Sequence, residues 1–213
     1  MHNPVTLFLT AFAALFSVVN PLGAMPMFLS MTAHDTPKMR DTVVFRSSIY
    51  FVIILVVSFL VGGYIINFFG ISIDAMRIAG GFIILSSGLS LMGGDQAKSR
   101  SIDEKMQNEA IAKNDISLTP LAIPLLAGPG SISLLIGYSN HIQYWQGFLV
   151  IILVIIANGL ASFAILRVAP RLVKYLGESG INSITRIMGF IVVSVGVQYI
   201  INGISSVVKG WHL

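Results

Sequence analysis

Charged side chains divide this sequence into long apolar stretches. Six stretches contain no Asp, Glu, Lys, Arg or His: they are Asn3–Ala33, Ser47–Ile73, Ile78–Gly94, Ile116–Asn140, Ile142–Leu166 and Ile187–Val208. Each is near or above the ~17–25 residues that an α-helix needs to cross the hydrocarbon core of a bilayer. They lack the alternation of apolar and polar residues that is typical of outer-membrane β-strands. The pattern therefore predicts an all-α polytopic membrane protein with six transmembrane helices.

Composition supports this prediction. The 213 residues are 55% hydrophobic and only 10% charged, whereas soluble domains carry about 25% charged residues. A soluble globular enzyme and a disordered chain are both excluded, since neither tolerates so much apolar surface with so little charge. The chain has no cysteine, which excludes disulfides, thiolate metal sites and cysteine nucleophiles. No Lys or Arg precedes the first stretch, so we expect a transmembrane helix there and not a signal peptide.

The basic residues predict an orientation. All but Arg77 and Lys209 of the 13 Lys and Arg residues follow the first, third and fifth stretches. The excess of basic residues on cytoplasmic loops then places both termini outside. We expect the lipid bilayer as a partner, and we attribute the net charge of +4 to this asymmetry and not to nucleic-acid binding.

A weak duplication suggests two related halves. The run Gly81–Gly88 resembles Gly189–Gly196 at an offset of 108 residues, and the same offset carries Pro21 onto Pro129. A unit of three crossings ends on the opposite face from its start, so a second copy must be inverted, as in many secondary transporters. We therefore predict a first three-helix repeat at residues 1–94, a cytoplasmic linker at 95–115 and a second, inverted repeat at 116–213.

Prolines and glycines cluster near the middle of the first and fourth stretches, at 20–26 and 120–131. Proline removes a helical hydrogen bond and clashes with the preceding turn, so both helices are predicted to be broken. Asn20 is a good N-cap for a restarted helix, and Gly128 before Pro129 can play the same part. The alternative is a pair of proline kinks shaped only for packing.

Restarted helices suggest a binding site built from backbone. Each broken span would present free amides at the start of its second half, and these two starts are predicted to converge from opposite leaflets, with the free carbonyls that end the first halves nearby. A site with amides on one side and carbonyls on the other suits a small zwitterion without any charged side chain. The predicted substrate-binding residues are Asn20, Pro21, Gly23, Gly128, Pro129, Gly130 and Ser131, with Ser133, Gln198 and Asn202 as further contributors. The alternative for Gln198 and Asn202, which are four residues apart, is hydrogen bonding between helices.

Other polar residues predict little chemistry. Asp74 and Arg77 are three apart and are interpreted as a boundary ion pair, or else as a gate with Arg186 as its repeat-related counterpart. The four histidines show no metal-ligand spacing, and no acid or base lies at mid-membrane depth. We therefore expect no enzyme activity, no metal and no cofactor.

Several motifs resemble those of the MarC family of six-span bacterial inner-membrane proteins, within the superfamily of the LysE exporters. The resemblance covers nearly the whole chain. Its marks are Asn20-Pro21-Leu22-Gly23 with Pro26, Phe69–Ile73, Arg77–Gly81, Pro120–Pro124, Ala127–Gly130 and Arg186–Gly189 with Gln198 and Gly203. It implies a multi-pass protein of the inner membrane, and some members are similar to transporters of glycine and alanine.

The leading hypothesis is a secondary transporter of small neutral amino acids, or similar zwitterionic metabolites, that works by alternating access. Its partners would be a small-molecule substrate and, as an open possibility, further copies of the chain in a homo-oligomer. The first rival is a passive pore or exporter of another small solute. The second is a non-transporting membrane protein that acts through partners.

Overall fold

A computed structural model describes residues 3–93, 116–142 and 144–210. The predicted linker at 95–115 lies outside these residues. The described chain contains helices and no strand. The helices are α1 (Pro4–Val19), α2 (Pro21–Met31), α3 (Pro37–Phe68), α4 (Ile73–Gly93), α5 (Pro129–His141), α6 (Trp145–Gly177) and α7 (Ser179–Lys209). An irregular segment, Ser117–Leu126, precedes α5.

The predicted membrane crossings are present as long apolar helices. Five are long and apolar enough to span a bilayer, with α1 and α2 together forming one span of 28 residues. The irregular segment and α5 meet at 65° and form a sixth span if they are counted together. The predicted all-α, multi-span architecture is confirmed, and the assignment of residues 1–94 and 116–213 as inverted repeats stays a prediction.

Helix ends follow from local residue chemistry. Proline occupies the first helical position of α1, α2, α3 and α5, where its missing N–H group costs nothing. Thr36 caps α3 by accepting a hydrogen bond from the Met39 N–H at 3.3 Å. α6 and α7 are separated at Gly177, which has a φ of 65°, a conformation that side chains other than glycine rarely adopt.

Apolar side chains both fill the interior and cover the outside. Phe28, Phe51 and Phe59 are fully buried in the core. Large apolar side chains such as Ile53 and Leu153 are more than half exposed. This is the arrangement expected when the solvent is lipid and not water.

α4 and α7 pack against each other through glycines. A Cβ added to Gly81 would lie 2.8 Å from the carbonyl oxygen of Gly196, and one added to Gly88 would lie 2.9 Å from that of Gly189. Only glycine permits backbones to approach so closely. In the predicted duplication, Gly81 corresponds to Gly189 and Gly88 corresponds to Gly196. The contact between Gly81 and Gly196 therefore corresponds to the contact between Gly189 and Gly88. This contact is compatible with the inverted repeat.

Candidate functional site

The first break is made by Asn20. Its φ of 46° and ψ of 62° are left-handed, a conformation that asparagine tolerates better than most residues. Its backbone N–H closes α1 by donating to the Phe16 carbonyl at 2.9 Å. Its side-chain Oδ1 opens α2 by accepting from the Gly23 N–H at 3.2 Å. The predicted break is present, although one amide of the restarted helix is capped by Asn20 and is therefore not free.

The second break is longer. Thr119 and Ile123 have non-helical dihedral angles, and the peptide bonds that precede Pro120 and Pro124 are cis. The segment makes i→i+5 hydrogen bonds, such as that from the Ala127 N–H to the Ala122 carbonyl at 2.8 Å. Gly128 then adopts an extended conformation, and α5 begins at Pro129.

The start of α5 carries amides with no side-chain cap. Gly128 has no side chain to offer, and its carbonyl accepts from the Ile132 N–H at 3.2 Å. The N–H groups of Gly130 and Ser131 belong to the first turn, where a helix has no internal partner for them. These amides give the start of α5 a partial positive charge.

The two breaks lie beside each other. A Cβ added to Gly130 would lie 3.1 Å from Cγ1 of Val18, in the last turn of α1, and 3.1 Å from Cγ1 of Ile84 in α4. The positive start of α5 is therefore close to the end of α1, which carries a partial negative charge. The sequence predicted that the starts of α2 and α5 converge, and that head-on meeting stays a prediction, because the contact seen here joins the start of α5 to the end of α1. Nothing in the sequence indicated that Ile84 lies beside this contact.

A cavity of about 330 Å³ adjoins the second break. It is lined by Met76, Ile123, Pro124, Ala127, Pro129, Ile132, Ser133 and Ile136. Ser133 is the one hydroxyl among these side chains, so the cavity is mainly apolar. Of the predicted site residues, it contains Pro129 and Ser133.

Ser131 and Ser133 differ in their hydrogen bonding. The Ser131 hydroxyl donates to the Gly128 carbonyl at 2.9 Å. The Ser133 Oγ is buried without a hydrogen-bond partner among the described residues, as is the Asn20 Nδ2. Buried polar atoms are normally paired, so these two atoms are exceptions beside the breaks.

Gln198 and Asn202 are not brought to the breaks. Both are exposed on α7, and the Gln198 Nε2 donates to the Asn202 Oδ1 at 2.9 Å. Gly196 faces α4. Because a helix turns about 100° per residue, Gln198, two residues later, lies on nearly the opposite face of α7. The expectation that these two residues contact substrate is therefore not supported by their positions.

The three predicted gate residues are separated into a pair and a single residue. Arg77 is 8% exposed, and its guanidinium lies 3.5 Å from the Asp74 carboxylate. This geometry fits the interpretation as a boundary ion pair. Arg186 is exposed on α7.

Sequence reasoning missed Gly80 and Tyr199. A Cβ added to Gly80 would overlap the Ser133 Oγ, so glycine at this position makes room for that hydroxyl. The Tyr199 hydroxyl donates to the Leu134 carbonyl at 3.0 Å and so connects α7 to α5. The consecutive glycines at 80 and 81 were a signal of close helix packing, but nothing in the sequence indicated which helix approaches.

Comparison with known proteins identifies the family. Residues 5–208 match the sequence pattern described as MarC family integral membrane protein. The chain belongs to the MarC family. It is 37% identical over 202 residues to the membrane protein YhcE of Escherichia coli (strain K12), covering 93% of this chain and 92% of YhcE.

Other relatives also match nearly the whole chain. A membrane protein of Methanocaldococcus jannaschii is 38% identical over 198 residues, covering 92% of this chain and 95% of its own length. The inner membrane protein MarC of Salmonella paratyphi B is 30% identical over 207 residues, covering 93% and 94%. No solved structure matches the chain.

Proposed function

We propose that this MarC family protein is a secondary transporter of small neutral amino acids or similar small zwitterions, and that it works by alternating access. The bilayer would be the inner membrane, with both termini outside. The observation that carries the proposal is the meeting of two interrupted helices, at which Gly130 of α5 lies against Val18 of α1.

Helix ends of opposite sign suit a zwitterion. The uncapped amides of Gly130 and Ser131 would attract a carboxylate, and the end of α1 would attract an ammonium group. Each half-helix end contributes about 0.3–2 kcal/mol to such an interaction. A charged side chain is not required, and none of the residues of α1, α2 or α5 around the breaks is acidic or basic.

Two unpaired side-chain atoms would supply further polar contacts. The Asn20 Nδ2 is a donor, and the Ser133 Oγ can donate or accept. The cavity beside Ser133 holds about 330 Å³, and apolar lining of this kind favours an uncharged side chain on the ligand. Asn20, Pro21, Gly23, Gly128, Pro129, Gly130, Ser131 and Ser133 form the proposed site, without Gln198 and Asn202.

Counterflow in proteoliposomes tests the proposal. Vesicles preloaded with unlabelled glycine or alanine should accumulate the labelled amino acid transiently, because a carrier exchanges substrate across the bilayer. Asn20→Ala is the control variant and should show no counterflow, since it removes the polar side chain from the first break.

Two other results would contradict the proposal. Flux without stimulation by internal substrate would indicate a pore. An absence of counterflow across a broad panel of amino acids, with folded protein, would favour a protein that acts through partners.

A further inference from the structure

A pair of grooves lies between the start of α3 and the second half of α6, and none of their lining residues belongs to the proposed substrate site. One is a cavity of about 550 Å³ that includes Lys38, Phe45 and Phe163. The other, of about 450 Å³, includes Arg40 and Arg171. Pro37, Asp41 and Arg167 line both cavities, so the two cavities flank the Asp41–Arg167 ion pair.

Basic side chains outnumber acidic ones in the two grooves. Lys38, Arg40, Arg167 and Arg171 provide four basic side chains, whereas Asp41 is the one carboxylate among the lining residues. In the Arg167–Asp41 ion pair, Nη2 of Arg167 lies 3.5 Å from Oδ2 of Asp41, which is a long contact, and both side chains are more than half exposed. Such a pair is weak, so Arg167 remains able to bind an anion.

Arg40 retains an unused donor. Its guanidinium donates to the Thr32 carbonyl at 2.8 Å, which holds it at the end of α2. Its Nε is buried and has no hydrogen-bond partner within the part of the chain that the structure describes. Arginine donors match phosphate oxygens well in geometry and charge.

The grooves lie at the boundary between charged and apolar sequence. The uncharged run of α3 starts at Ser47, and that of α6 ends at Leu166. Beside this boundary, the rings of Phe45 and Phe163 are in edge contact with centroids 6.3 Å apart. Basic side chains thus lie just outside an aromatic, apolar wall, which matches a phospholipid with its headgroup above its acyl chains.

We propose that these grooves bind the phosphate of an anionic phospholipid, with the acyl chains against Phe45 and Phe163. Arg40, Arg167 and Arg171 bind the phosphate, and Asp41 weakens the binding by repulsion. The site is separate from the proposed substrate site and does not depend on transport.

Native mass spectrometry of the full-length protein tests the proposal. The probes are phosphatidylglycerol and phosphatidylcholine with identical acyl chains, together with inorganic phosphate as a competitor. The wild-type protein should retain phosphatidylglycerol in preference. Arg171→Gln should lower the affinity for phosphatidylglycerol about fivefold, whereas Asp41→Asn should raise it, which loss of structure cannot do.

Arg186→Gln is the matched control, because it removes one exposed positive charge from α7 outside the grooves. It should leave the affinity unchanged. Equal retention of both lipids, an equal loss in the control, or weaker binding by Asp41→Asn would each overturn the proposal. Displacement of the lipid by millimolar inorganic phosphate would assign the site to a free anion instead.

Discussion

At the residue scale, Asn20 has two separate roles in the first break. Its backbone adopts a left-handed conformation, and its side chain caps Gly23. Alanine would lose the cap and would also disfavour the left-handed conformation, whereas glycine would lose only the cap.

We therefore expect Asn20→Ala to lower the free energy of unfolding by about 1–2 kcal/mol, and Asn20→Gly to lower it by less. Both variants should lose counterflow, because both lack the unpaired Nδ2. Thermal unfolding in detergent and counterflow measure the two effects. Wild-type transport by both variants would show that the Asn20 side chain does not contact substrate.

The two buried serines of α5 provide a second prediction at this scale. Ser131→Ala removes the hydrogen bond to Gly128 and should destabilise the fold by about 0.5–1.5 kcal/mol. Ser133→Ala removes a hydroxyl that has no partner, so the free energy of unfolding should be unchanged or higher.

Ser133→Ala should nevertheless raise the glycine concentration that gives half-maximal counterflow about three- to tenfold, because one hydrogen bond to the ligand is lost. The affinity is measured by counterflow at varied substrate concentration. A destabilised Ser133→Ala protein with unchanged affinity would indicate that Ser133 has a structural role only.

At the scale of elements, the contact between α4 and α7 depends on four glycines. Gly81→Ala and Gly196→Ala should each destabilise the protein by about 1–3 kcal/mol, because each added Cβ meets backbone of the other helix. The double variant should lose less free energy of unfolding than the sum of the two single losses, since both changes push α4 and α7 apart at the same contact. Unfolding in detergent measures these differences.

If the halves are related by the predicted inverted repeat, Gly88→Ala and Gly189→Ala should show similar losses. Ala79→Leu, at an exposed position of α4, is the control and should have little effect. Losses at Gly81 and Gly196 with none at Gly88 and Gly189 would contradict a symmetric contact.

The sequence predicted the spans and breaks because their signals are local. A missing charge, a proline or an N-cap asparagine acts within one turn of its own helix. The orientation of Gln198 and Asn202 was not predictable, because it depends on which face of α7 packs on α4. The different roles of Ser131 and Ser133 depend on contacts with Gly128 and Gly80 that no periodicity reveals.

At the scale of the whole molecule, the distribution of basic residues predicts the topology. The chain has no cysteine, so a single introduced cysteine can be labelled without background. Lys209→Cys should react with a membrane-impermeant maleimide added outside cells, because the carboxyl terminus is predicted to be outside. Lys105→Cys should react only after the membrane is permeabilised, and the reverse pattern would contradict the predicted orientation.

The central claim is that the meeting point of the broken spans binds both charges of a small zwitterion. Competition in the counterflow assay tests it most directly, by comparing glycine and alanine with acetate, propionate, methylamine and ethylamine. The account predicts that the two amino acids inhibit uptake of labelled glycine and that compounds with only one of the two charges do not. Inhibition by acetate or methylamine as strong as that by glycine would contradict it.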